Sequence, residues 1–228
     1  MSTAVSGGRL DRALVEGLVR DIVRQRLGVS GTRAGTSKPK LVVNISARHM
    51  HVTQKTLEVL FGPGAQLTVM RPLYQDGYFA SEQMVTIIGP RHRTITNLRI
   101  LGPVRPEDQI ELSFTDGIAM GVDLPVRMSA DIKGTPGCIV LGPKGHIELK
   151  EGVIRAQRHV HMHTTDAAYY GVKSGDFMRL KVHGSCPTTF EGVICRVSKD
   201  VKLEVHLDTD EGNACDLANA SRVELEKM

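Results

Sequence analysis

From Leu41 onward the chain alternates apolar and polar residues in short runs. LVVNIS, QMVTIIG, TITNLRIL, QIELSF, FMRLKVH, GVICRV and KLEVHL are brief, β-branched and bounded by Gly, Pro or Asp. This is the pattern of short strands in compact sheets or small barrels. In KLEVHLD, Leu203, Val205 and Leu207 share one face, and Glu204, His206 and Asp208 share the other. In QIELSFTD, Ile110, Leu112 and Phe114 oppose Gln109, Glu111, Ser113 and Thr115. Two short helices are expected, over TQKTLEVLFG with Thr53 as cap and over TTDAAYYGV with Thr164 or Thr165 as cap.

The N-terminus has a different period. Residues 10–27 place Leu10, Leu14, Val15, Leu18, Val19, Ile22 and Val23 at spacings of three and four, which predicts an amphipathic helix. The Gly/Ser/Thr/Lys-rich stretch 28–40 then reads as a flexible tether. Such a helix either packs on its own domain or a dimer mate, or presents its apolar face to another protein.

Composition narrows the function classes. The 228 residues carry a net charge of +4, and no stretch concentrates Lys and Arg with interleaved aromatics, which argues against nucleic acid. No run approaches a membrane span, and Arg9, Asp11, Arg12, Glu16, Arg20 and Asp21 interrupt any secretory segment. Cys138, Cys186, Cys195 and Cys215 form no CxxC pair and are expected as reduced thiols in a cytoplasmic protein.

Five of the nine histidines fall in two matching runs, RHMH at 48–51 and RHVHMH at 158–163. Each ends a strand and leads into a helix, so the chain reads as a degenerate internal duplication with two β-rich halves. In an extended segment His49 and His51 project side by side, as do His159 and His161, and paired neutral imidazoles grip Zn²⁺ or a similar transition metal. Exposed or hydrogen-bonded histidines would have the same spacing, but the repetition favours metal. His206 and Glu111 are candidate further ligands, and His163 a fourth ligand or an outer partner. His92, His146 and His183 sit in loop-like contexts. Arg105 in LGPVRPED, and Arg127, Ser129 and Lys133 in RMSADIKGTPG, lie in turns suited to an anion, while no Walker motif is present.

Taken in order, SARHMH, YFASEQMVTIIGP, LGPVRPEDQIELSFTDG, PVRMSADIKGTPG, AQRHVHM and HLDTDEGNA resemble the motifs of the PduL-type phosphate propanoyltransferase family, from about Leu41 to Ala214. The resemblance implies a mainly β fold of two small β-barrels capped by short α-helices, residues 41–47 with 155–228 in one and 48–154 in the other. It implies two zinc ions per subunit: one on His49, His51 and Glu111, which also meets the coenzyme A sulfur, and one on His159, His161 and His206. Arg105 would bind phosphate, with Ser129 a polar group nearby. The implied reaction converts acyl-CoA, propanoyl-CoA above all, and phosphate into acyl phosphate and CoA, in a homo-oligomer. Residues 1–27 resemble the encapsulation peptides that draw enzymes to the shell or lumen partners of a bacterial microcompartment, as in propanediol degradation. Two positions depart from the family pattern: His163 stands where serine is usual, and Ala130 replaces a glycine. A dinuclear zinc hydrolase and a non-enzymatic lumen scaffold are the competing classes.

Overall fold

The computed structural model describes residues 38–228; the expected helix over 10–27 and most of the tether over 28–40 lie outside them. Pro39–Met228 form one compact, mainly β unit of two curled half-barrel sheets with few short helices.

The six-stranded sheet contains β1 (Val42–Ile45), β11 (His159–His163), β12 (Phe177–His183), β13 (Thr188–Ser198), β14 (Glu204–Leu207) and β15 (Arg222–Lys227), in the order β1-β14-β11-β13-β12-β15. The nine-stranded sheet contains β2 (His49–His51), β3 (Val69–Pro72), β4 (Phe79–Ile88), β5 (Thr94–Gly102), β6 (Gln109–Glu111), β7 (Val126–Arg127), β8 (Cys138–Leu141), β9 (His146–Leu149) and β10 (Val153–Ala156). Its order is β7-β10-β6-β2-β5-β4-β8-β9, with β3 on β4. His146 opens β9 and His183 closes β12, so neither lies in the loop expected for it.

The two sheets exchange strands. β1 precedes β2 in the chain yet pairs in parallel with β14 of the other sheet. β10 precedes β11 yet pairs in parallel with β6. The chain therefore crosses from sheet to sheet immediately before each His-x-His run. Each sheet has its own apolar core: Met50, Leu57, Leu60, Ile87, Ile100, Ile110 and Val140 for one, Val160, Met162, Met178, Leu180, Val193 and Val205 for the other. Burying an aliphatic side chain of this size contributes about 1.5–3 kcal/mol.

Helix α1 (Gln54–Phe61) starts at Thr53, whose hydroxyl accepts the Thr56 N–H at 3.1 Å, as the sequence suggests. Helix α3 (Thr164–Tyr170) differs from expectation, because the Nδ1 of His163 accepts the Thr165 N–H at 3.2 Å. The cap is His163 and not a threonine. Two further helices replace what the sequence presents as strand and acidic turn. Strand β6 ends at Glu111, and Ser113 and Asp116 form a capping box for α2 (Phe114–Met120). Phe114 is therefore half-exposed on a helix and not a strand core residue. Asp208 and Glu211 form the same box for α4 (Thr209–Ala214). Arg155 joins these ends: it pairs with Asp208, donates to Glu211 at 2.7 Å and lies 4.3 Å over the Phe114 ring.

Candidate active site and metal centres

Strand β2 places His49 and His51 side by side, and antiparallel β6 sets Glu111 directly opposite His49. The two imidazole Nε2 atoms lie 3.1 Å apart, and Glu111 Oε2 is 3.6 Å from His49 Nε2. All three residues are at most 9% exposed. His49 Nδ1 is 2.8 Å from the Ala47 carbonyl. Donation there leaves the Nε2 lone pair free, the outer contact that orients ligating histidines. Two nitrogen ligands about 2.0–2.1 Å from a tetrahedral metal stand roughly 3.3 Å apart, so the spacing fits one divalent ion. Burial, then His49 and Arg105, lower the His51 pKa to about 2, so its ring is neutral, the form a metal needs.

The second half repeats the arrangement. His159 and His161 lie on β11, and β14 sets His206 opposite His159. The His159 and His206 rings stack at 4.8 Å with 10° between planes, and His161 stands edge-on to both. His159 Nδ1 is 2.9 Å from the Gln157 carbonyl, matching the His49 contact. Burial chiefly, then neighbouring imidazoles, lower the pKa of His159 to about 4 and of His161 to about 3. Within each triad the ligand atoms lie within 4.8 Å of one another. The triads also meet, since Glu111, His159 and His206 line one narrow cavity with Ser46, Gln157 and Asp208.

Two of the four expected anion residues, Arg105 and Ser129, collect at the Glu111 side. Arg105 Nη1 donates to Ser129 Oγ at 3.2 Å, and its backbone N–H donates to Val52 O at 2.8 Å beside the first triad. Burial, then the charge of Arg196, lowers the Arg105 pKa, while Glu111 and Tyr78 oppose that shift. Ser129 belongs to the site, whereas Arg127 lies 3.9 Å from Asp131 and Lys133 is exposed.

Four side chains of the site were not singled out from the sequence. Gln109 donates to Glu111 Oε1 at 2.7 Å and to Ser129 at 2.9 Å. Glu204, between Asn44 and Gln75, has an Oε2 3.2 Å from His206 Nε2. Burial alone would raise the Glu204 pKa, but His206, Asn44 and Gln75 outweigh it and hold the value down to about 2. Arg196 stands opposite His161 on β13 and acts electrostatically on His159, His161 and Arg105. Gln75 comes from a loop of the other sheet. Gln109, Glu204 and Arg196 each occupy the polar face of an alternating strand, which is the signal that marks them. His163 joins neither triad; its Nδ1 is engaged by Thr165.

Comparison with known proteins now assigns the class. The family model for phosphate propanoyltransferase matches residues 42–218. A phosphate propanoyltransferase of Planctopirus limnophila is 55% identical over 99% of this chain and 96% of its own. One of Thermotoga maritima is 47% identical over 78% and 84%, and one of Listeria monocytogenes 37% identical over 96% and 98%. A mainly β acyltransferase, with two groups of three side chains that could hold a metal ion, is thereby defined. The chain belongs to the phosphate propanoyltransferase family.

Proposed function

We infer that the enzyme interconverts propanoyl-CoA and phosphate with propanoyl phosphate and CoA by direct transfer at a two-zinc cleft. The observation that carries this is the meeting of the His49–His51–Glu111 and His159–His161–His206 triads beside a part-buried arginine, Arg105. Zinc bound there supplies Lewis acidity for charge developing at the thioester. The chain's own residues do the rest. Arg105 holds phosphate so that one oxygen faces the thioester carbonyl carbon; the C–O bond forms as the C–S bond breaks, and the CoA sulfur leaves with the electron pair.

No protein nucleophile is called for. Ser129 Oγ accepts from Arg105 and Gln109 and donates to Glu111 Oε1 at 3.3 Å, so its lone pairs and its proton are already engaged. Burial pushes the Cys138 thiol up to about 12. The division into two barrels, residues 41–47 with 155–228 and 48–154, is kept as part of this reading. Its support is the pair of separate apolar cores and the pairing of β1 with β14, while Arg155 and Ala156, at the end of β10, pair within the nine-stranded sheet. An encapsulation role for residues 1–27 and a microcompartment lumen location rest on the amphipathic pattern there, and self-association on the family resemblance. Among the described residues no helix is long and apolar enough to cross a membrane.

The test is CoA release from propanoyl-CoA by metal-quantified protein, with and without phosphate. Phosphate-dependent release with matching propanoyl phosphate, lost on chelation and restored by zinc, is expected. Equal release without phosphate would make the enzyme a thioesterase.

A further inference from the structure

The two halves of the site correspond residue by residue once strand register is followed. Across the β2–β6 ladder His49 faces Glu111 and His51 faces Gln109. Across the β11–β14 ladder His159 faces His206 and His161 faces Glu204. Beyond each outer strand lies an exchanged strand, Ile154 beside Glu111 and Asn44 beside His206. Two residues after Glu111 and after His206 the chain forms a capping box and turns into a helix. Register thus equates Glu111 with His206 and Gln109 with Glu204, although neither pair is identical.

The two differences complement each other chemically. Glu111 is a carboxylate ligand, so the group behind it must donate. Gln109 does so through Nε2 at 2.7 Å, and its amide is oriented because Oε1 accepts the Ala130 N–H at 2.6 Å. His206 is an imidazole ligand, whose second ring nitrogen carries a proton, so the group behind it must accept. Glu204 Oε2 lies 3.2 Å from Nε2, close though not aligned for a full hydrogen bond. The Glu204 carboxylate is itself fixed by Asn44 Nδ2 on Oε1 and Gln75 Nε2 on Oε2, both at 2.6 Å. Gln109 and Glu204 are each 3% exposed, out of reach of bulk solvent.

We propose that Gln109 and Glu204 are equivalent positioning residues, an amide donor matched to Glu111 and a carboxylate acceptor matched to His206, each orienting the third ligand of its metal triad. This rests on the reading that both triads hold a metal. Glutamate at 109 would set two carboxylates against each other, and glutamine at 204 would turn an amide N–H group toward one of the donors Asn44, Gln75 or His206; loss of such an outer contact weakens metal binding about 10- to 100-fold.

The experiment measures zinc per chain and chelator-competition affinity, with the Co²⁺ absorption spectrum as a second readout, in wild type, Gln109→Glu, Glu204→Gln and two exchanges. One exchange is Gln109→Glu with Glu111→His; the other is Glu204→Gln with His206→Glu. Each single variant is expected to weaken one of the two metals by 10-fold or more and to shift the cobalt bands of that site. Each exchange is expected to recover most of the loss, since it installs the other half's matched pair. Singles that keep wild-type affinity and cobalt spectrum, or exchanges that bind no better than their singles, would overturn the proposal. Glu204→Gln changes no side-chain volume and carries the test alone if Gln109→Glu fails to fold. A wild-type chain that binds no divalent metal would instead remove the two-zinc reading on which the proposal stands.

Discussion

Arg105 donates to Ser129 Oγ at 3.2 Å, tying the LGPVRPED turn to the RMSAD turn at the edge of the His49–His51–Glu111 triad. The guanidinium is part-buried beside Glu111 and Arg196, an arrangement that suits a bound dianion better than a structural ion pair. Replacing Arg105 with alanine is expected to lower kcat/KM for phosphate about 10- to 100-fold, the value of one or two charge-assisted hydrogen bonds. Zinc per chain should stay at the wild-type level. Metal loss in that variant would instead make Arg105 a support for the ligand Glu111 and not a phosphate-binding residue.

Ala130 has a φ of 78°, in the left-handed region that costs a residue with a Cβ about 1–2 kcal/mol. Its N–H is needed there, because it donates to Gln109 at 2.6 Å. The position therefore suits glycine. Ala130→Gly is expected to raise unfolding free energy by about 0.5–1 kcal/mol after glycine's greater entropy in the unfolded chain is counted. Urea denaturation measures it, and a less stable variant would contradict this reading.

His163 stands two residues past His161 on the same strand, yet its Nδ1 caps α3. A serine hydroxyl can do the same work as a helix cap. His163→Ser is expected to leave both stability and metal content unchanged. His163→Ala should cost about 1 kcal/mol as a lost cap, again with no metal lost. Loss of zinc from either variant would make His163 a ligand.

Burial raises the thiols of Cys138 to about 12 and Cys195 to about 11, against an ordinary value of 9.0. Above pH 9 the unfolded chain releases these protons while the folded chain keeps them. The unfolded state then binds fewer protons, so stability falls as pH rises from about 9 toward 11 and 12. Unfolding free energy measured between pH 8 and 11 is expected to decline, and more gently when both cysteines are alanine. An unchanged slope in that variant would count against the thiols as the cause.

Much of the site was legible because extended chain sends residues i and i+2 to one face: His49 with His51, His159 with His161, and the polar faces carrying Glu111 and His206. The helices after those faces were not. Each is short and contains a glycine, Gly117 in α2 and Gly212 in α4, and a seven- or six-residue helix shows little period. The strand exchange was hidden for another reason. Nothing local in VVNI or VIRA says which ladder the strand joins; the parallel partners β14 and β6 decide that through contacts distant in sequence. Without the exchange and the registers, Glu111 and His206 do not look equivalent, nor do Gln109 and Glu204. The likeness of the two halves is plain at the His-x-His runs and hidden at Glu111/His206 and Gln109/Glu204, where register matches but residue type does not.

The most direct test of a two-zinc site is zinc per chain in purified wild type, His49→Ala and His159→Ala, each with its phosphate-dependent CoA release. Two equivalents in the wild type and one in each variant are expected, with release lowered at least 100-fold in both. Full phosphate-dependent release from a chain holding no metal would contradict it.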